Sequence, residues 1–379
     1  MDVPIRYSDT GWARYLSLRL RPSADAPDRL RRIAAGRLGA ERVFLLNSGR
    51  AALMTALAVM RESDAGRGVV VVPAYVCPSV VAAVERSGLE PRFAPIGRDL
   101  NPTPGALARC LGADVLAIVA VHTYGFPADV ASIERMVEGR NVRVIDDAAH
   151  CMPGDPAPEA PGTGGSAGLY SFAMSKAVSN GYSGRGGMLV VNDESLLQGV
   201  ADRYRGLQAC AASVWDDLNF VTTCLWEPLF RRLPWRLQAR IQEGFSRRAI
   251  DPWSAQKMSE ADASLALEQI QVRGVARSER AARIRDILAA VPDGPGYWFP
   301  HRERPERLTR LALCVRSKLS IGEIRRIGAA AGMAIRTGYE MRHDEPLPFG
   351  TLFEIPLGAA WSPARLRTLA GTLGSIRME

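Results

Sequence analysis

Runs of consecutive apolar residues alternate along the first half of the chain with stretches whose apolar positions recur every three or four residues. Val69–Pro73, Val115–Val121 and Val142–Ile145 read as strands, because a strand buried on both faces shows no polar alternation. Between them, residues 49–61, 78–87 and 129–138 carry helical periodicity, and in the first of these Leu53, Leu57 and Met60 share one face. Strands alternating with helices predict a mostly parallel sheet covered by helices on both faces. Two further strand-like runs, Val43–Leu46 and Gly168–Phe172, each pass into a polar, small-residue turn.

From about 194 to 245 the pattern turns helical and aromatic, with Trp215, Phe220, Trp226, Phe230 and Trp235 beside Arg231, Arg232 and Arg236. An interfacial membrane patch and a core or dimer surface both fit that composition; Pro228 and Pro234 interrupt any continuous amphipathic helix and favour the second. Glu260–Leu288 then reads as one long helix. A strand at Leu311–Val315 and helices at Ile321–Ala331 and Pro363–Ile376 predict a smaller α/β domain at the C-terminal end. The expected organisation is a large α/β domain over 1–245 and a smaller one over 246–379, without internal repeats.

At 379 residues and 47% hydrophobic content the chain can bury a large core and is long enough for more than one domain. It has no apolar run of membrane-spanning length. Met1–Arg6 lacks the apolar core of a signal peptide, so a cytoplasmic location is expected. The six cysteines are scattered without paired spacing, which supports neither a disulfide framework nor a zinc site. A formal net charge of +8 raises nucleic acid as a partner, but the arginines are dispersed and no aromatics interleave with them as a stacking platform requires. Attraction of anionic small molecules is the milder use of the same charge.

That charge is almost all arginine. The only lysines are Lys176, Lys257 and Lys318. Lys176 follows a short apolar strand and precedes the glycine-rich Gly181–Gly187, and an amine there can lose its proton and form a Schiff base, which a guanidinium cannot. About thirty residues upstream, Val142–Ile145 ends in Asp146-Asp147-Ala148-Ala149-His150. A carboxylate at a strand's carboxyl end faces the ligand crevice of an open α/β sheet, and beside a pyridine nitrogen it keeps that nitrogen protonated. The same pair also reads as a helix N-cap, and Asp146, His150 and His122 as a sparse metal site. Ser48-Gly49-Arg50 opens a helix, where free backbone N–H groups suit a phosphate. Tyr75, in Pro73-Ala74-Tyr75-Val76-Cys77, can stack on a flat ring or pack on a helix end.

Taken in order, Ser48–Leu53, Pro73–Cys77, His122-Thr123-Tyr124-Gly125, Asp146–His150, Ser171-Phe172 with Lys176, and Gly186-Gly187 resemble the DegT/StrS family of pyridoxal phosphate-dependent sugar aminotransferases, from about residue 40 to the C-terminus. The resemblance implies the aspartate aminotransferase type of fold (PLP-dependent fold type I). It implies that Lys176 carries the cofactor's Schiff base, Asp147 pairs with its pyridinium nitrogen and Tyr75 stacks on its ring. Within the Ser48-Gly49-Arg50 turn, Gly49 and Arg50 hold the phosphate through backbone amides, Ser171 adds its hydroxyl, and His150 lies near the ring oxygen. A homodimer with a shared site is implied, glutamate as amino donor, and a nucleotide-linked keto sugar as acceptor.

The chain departs from the family pattern at Ala177, where asparagine is usual, and at Arg185, where an acidic residue is usual. Trp253–Glu260 also lacks the asparagine of the segment that reaches into the partner's site in relatives. These departures keep open a cyclitol or a non-sugar ketone as acceptor. A dehydratase or a non-catalytic regulator on the same fold are the remaining alternatives; family dehydratases carry histidine where this chain keeps Lys176.

Overall fold

The computed structural model describes residues 12–35, 40–153, 160–173, 176–180, 185–210, 253–330, 336–341, 343–355 and 362–375. Seven strands form the main sheet: β1 (Val43–Leu46), β2 (Val69–Pro73), β3 (Glu90–Ala94), β4 (Val115–Val121), β5 (Arg143–Asp147), β6 (Ala167–Ser171) and β7 (Gly187–Val191). Their order is β1-β7-β6-β5-β4-β2-β3. β7 pairs antiparallel with both neighbours and the other pairings are parallel, so β1 to β6 all run one way and β7 alone is reversed. The strands at 69–73 and 115–121 form as expected, and the third runs on through the two aspartates. The apolar pattern did not predict β3, whose Glu90-Pro91-Arg92 is polar. It lies at the sheet edge, where proline's missing N–H costs no ladder bond and charge discourages further pairing.

Helices α1 (Trp12–Leu20), α2 (Ala26–Ala35), α3 (Gly49–Ser63), α4 (Pro78–Arg86), α5 (Pro104–Cys110), α6 (Val130–Val137) and α7 (Glu194–Gly206) belong to this part of the chain. The unbroken valine run of β2 serves both faces of the sheet. Val70 and Val72 pack with Leu53 and Leu57 of α3 and Val84 of α4, whereas Val69 and Val71 pack with Leu107 of α5 and Ile133 of α6. Side chains alternate along a strand, so one apolar run feeds two cores.

After α8 (Glu260–Ala290) comes a four-stranded antiparallel sheet of β8 (Tyr297–Trp298), β9 (Leu311–Val315), β10 (Arg336–Thr337) and β11 (Thr351–Ile355), in the order β10-β11-β9-β8, with α9 (Ile321–Ala330) and α10 (Pro363–Gly374). At 31 residues α8 is about 45 Å long, and it belongs to both cores. Ala263, Ala266 and Leu267 pack with α2 and β1, while Ile284, Ile287 and Leu288 pack against the small sheet. The cores therefore divide along α8; the expected boundary between 245 and 246, and the aromatic stretch 215–235, lie outside the described residues. Among the described residues no helix is long and apolar enough to cross a membrane.

Candidate active site

Because β1 to β6 share one direction, their carboxyl ends form one edge of the sheet, the edge at which open α/β sheets bind ligands. The turn Ser48-Gly49-Arg50 leaves β1 there, Ala74–Cys77 leaves β2, His122–Gly125 leaves β4, Ala148–His150 leaves β5, and the segment carrying Lys176 leaves β6. The reversed β7 begins at the same edge with Gly186 and Gly187.

The two aspartates at the end of β5 point to opposite faces and have different tasks. Asp146 is engaged on both oxygens: Oδ1 meets His122 Nε2, and Oδ2 accepts from the N–H groups of Gly162 (2.7 Å) and Gly164 (3.1 Å). His122 is fixed in turn, its Nδ1 accepting from Ala128 N–H at 2.9 Å. Asp146 is thus a tie between three loops. Asp147 is as deeply buried, yet among the described residues its carboxylate accepts a single hydrogen bond, from Ala149 N–H at 2.9 Å. Burial pushes its carboxyl pKa up, against the pull of that N–H and of the Lys176 charge. A cation placed against Asp147 would reverse that shift.

Lys176 Nζ lies 2.8 Å from His150 Nε2. Burial lowers the amine's pKa; the charge of Cys77 opposes the shift and that of Arg310 adds to it. His150 is only 4% exposed, and burial, then the Lys176 charge, then Arg310, hold its pKa well below the usual value. The imidazole is neutral, and among the described residues its buried Nδ1 has no hydrogen-bond partner.

The start of α3 packs closely against the end of β6. Ser48 Oγ accepts from Ala51 N–H at 3.1 Å, so this hydroxyl serves as the helix cap. Gly49 stands so close to β6 that a Cβ there would come within 2.8 Å of the Ser171 Cβ. Only glycine leaves room between the turn and the Ser171 hydroxyl.

Tyr75 follows β2 at this edge. It is 1% exposed, its ring is walled by Tyr339 (centroids 5.3 Å apart) and edge-on by Phe349 (5.4 Å), and its hydroxyl binds Tyr124 Oη at 2.7 Å and Tyr339 N–H at 3.2 Å. The turn after Pro73 carries it into an aromatic seam between the two cores, with Trp298, Cys314 and Leu352. Burial keeps the phenols of Tyr75, Tyr124 and Tyr339 protonated.

The small domain brings to this edge residues the sequence did not flag. Tyr339 Oη lies 3.4 Å from His150 Nε2, the atom that also faces Lys176. Arg310, at the start of β9, pairs with Glu354 of β11 at 2.7 Å, and Glu354 also accepts from Tyr124 Oη at 3.4 Å. The backbone N–H and hydroxyl of Thr309 both bond to Tyr124 O. Nothing local distinguishes these residues: with three lysines in a Lys+Arg total of 48, Arg310 is one of 45 arginines. Of the departures from the family pattern, Ala177 is buried, and Arg185 is buried with Nη1 3.4 Å from Cys210 Sγ.

The chain is 29% identical over 215 residues to a dTDP-4-dehydro-2,3,6-trideoxy-D-glucose 4-aminotransferase of Saccharopolyspora spinosa, covering 51% of this chain and 54% of that one. It is 33% identical over 151 residues to a UDP-N-acetyl-3-dehydro-alpha-D-glucosamine 3-aminotransferase of Acidithiobacillus ferrooxidans, covering 39% and 40%. The chain thus spans about half the length of the curated relatives it matches. In fold it is similar to Helicobacter pylori PseC, an aminotransferase involved in the biosynthesis of pseudoaminic acid, with a TM-score of 0.72 over 98% of this chain and all of that one at 16% identity. The DegT/DnrJ/EryC1/StrS aminotransferase family profile matches residues 27–354, and the chain belongs to that family.

Proposed function

We propose that this protein is a pyridoxal phosphate-dependent aminotransferase that moves an amino group, in this reading from glutamate, to a nucleotide-linked keto sugar. The observation that carries the proposal is the meeting of a half-buried Lys176 with the buried His150 and Asp147 at the carboxyl ends of adjacent parallel strands, within reach of one ligand. The residues present also fit the cofactor: the glycine turn at the α3 N-terminus, close against Ser171, suits a phosphate, and the buried Asp147 carboxyl would gain a charged partner in a protonated ring nitrogen. Bound there, pyridoxal phosphate supplies an aldehyde for the amine and a ring that withdraws electrons from the carbon next to it.

Asp147 would pair with the cofactor's ring nitrogen and keep it protonated. Lys176 would hold the cofactor through its aldehyde and, as a freed amine, would be the base that accepts the proton of the donor's α-carbon and delivers it to the cofactor instead of back to that carbon. His150, 2.8 Å from that amine, would share a proton with it and lie near the cofactor's ring oxygen. The nucleotide-sugar names of the two relatives support the acceptor class. In the same reading the working unit is a homodimer in a reducing cytoplasm.

The experiment is spectroscopic. The purified chain mixed with pyridoxal phosphate should develop a visible band that L-glutamate bleaches, and borohydride should fix the label on Lys176. Lys176→Ala should show neither band nor label. A wild-type chain without the band, or a label that maps elsewhere, would sink the proposal.

A further inference from the structure

Asn47 stands where β1 becomes the turn before α3, and all four of its polar groups are engaged. Its backbone N–H donates to Gln256 O at 2.9 Å and its carbonyl accepts from Gly186 N–H at 2.7 Å. Its side chain donates from Nδ2 to Ser254 O at 2.9 Å and accepts at Oδ1 from Gln256 N–H at 3.2 Å. The carboxamide therefore pairs with residues 254–256 as one more peptide group of the strand would. It prolongs the antiparallel pairing of Leu46 with Lys257 and the bond from Met258 N–H to Leu45 O at 3.0 Å. The task needs a donor and an acceptor on a short side chain; aspartate lacks the donor and leucine lacks both.

The same segment grips the far end of the turn. Trp253 lies against the guanidinium groups of Arg50 and Arg86, 5.1 and 4.5 Å from the ring centroid, and packs on the core beneath α3 and α4. Ser48 is held between these points by its cap to Ala51 N–H and by its backbone bridge to Gly186. The turn Ser48-Gly49-Arg50 is thus fastened before its first residue by Asn47 and at its last by Trp253. A phosphate held by backbone N–H groups needs those groups fixed in direction before it arrives.

We propose that Asn47, with Trp253 as second brace, is a positioning residue that aims the N–H groups of Gly49 and Arg50 at a phosphate monoester. This rests on the cofactor reading above. Pyridoxal phosphate and pyridoxal differ only in the phosphate, so their relative affinities isolate the turn from the rest of the site. In Asn47→Ala, which loses two hydrogen bonds, the visible band should require about tenfold more pyridoxal phosphate or greater, with pyridoxal affinity unchanged within about twofold. Inorganic phosphate should raise the melting temperature of the wild-type apo protein and lose most of that effect in the variant. Trp253→Leu should act in the same direction more weakly, and decides the matter if Asn47→Ala does not fold. Equal weakening towards both ligands, or no weakening towards either, overturns the positioning role. A wild-type chain that binds pyridoxal as tightly as pyridoxal phosphate overturns the phosphate turn itself, and one that binds neither overturns the cofactor reading together with it.

Discussion

The carboxyl edge of the seven-stranded sheet and the rim that the small domain sets against it are held by different means. At the edge, each polar side chain is delivered by its own strand and fixed by bonds a few residues away in the chain or in the next strand: Asp147 by Ala149, His122 by Ala128, Ser48 by Ala51. On the rim, Arg310 and Glu354 hold each other across 44 residues, and Tyr339, Glu354 and Thr309 are fixed by Tyr75 and Tyr124 from more than a hundred residues away. Loss of an edge residue should therefore change the chemistry or one loop, whereas loss of a rim residue should change the closure of the two cores and the charge felt by Lys176.

The sharpest division is expected inside the edge itself, between the two aspartates. Asp147→Asn should leave folding intact and reduce turnover by a few powers of ten, since each pKa unit of lost support for a charged ring nitrogen is about 1.4 kcal/mol. Asp146→Asn should act through stability, at about 3 kcal/mol, because it disturbs a buried carboxylate bonded to Gly162, Gly164 and His122. Urea unfolding and steady-state turnover on both variants separate the roles, and a folded, inactive Asp146→Asn would exchange them.

The next effect lies in the seam. His301 is buried, stacked on Phe126 with ring centroids 3.7 Å apart, has no hydrogen-bond partner at either nitrogen among the described residues, and has its pKa pushed by burial from 6.5 down to about 3. The unfolded chain takes up a proton below about 6.5 that the folded chain refuses until about 3, so stability is lost as the pH falls through this window. Between pH 7 and pH 5 the wild type should lose about 2 kcal/mol more than His301→Asn, whose asparagine tolerates the left-handed backbone at this position (φ 64°). Parallel stability curves for the two proteins would show that His301 is already solvated.

The smallest effect tests whether the rim is felt at the edge. The Arg310 charge lowers the pKa of Lys176 and the Glu354 charge raises it. Arg310→Met should therefore move the pH at which the apo protein's Lys176 becomes reactive upward, and Glu354→Gln should move it downward. Reductive methylation of Lys176 across a pH series, read by peptide mass, measures both. Shifts of the same sign would mean that disturbed packing, not charge, connects the two regions.

Local signals made the edge legible. An unbroken run such as Val69–Val72 announces a strand buried on both faces, a serine followed by glycine announces a helix start, and a lone lysine in an arginine-rich chain announces a group that must lose its proton. The surroundings of Tyr75 show where such signals stop. Its place after a strand is a local property, whereas Tyr339 and Phe349, more than 260 residues on, are set beside it only by the fold.

By itself the sequence determined the parallel run of strands, the helices between them, and the order in which a turn, two aspartates and a lysine reach one sheet edge, because strand direction and side-chain alternation are properties of short stretches. Adjacent aspartates had to face opposite ways. Tertiary structure alone decided that Asp146 would be tied to Gly162, Gly164 and His122 while Asp147 accepts one bond, from Ala149 N–H, among the described residues. It alone also set Asn47 against Ser254 and Gln256, and Arg310 against Glu354 beside the lysine, since the partners of a buried polar group are chosen by how distant segments pack.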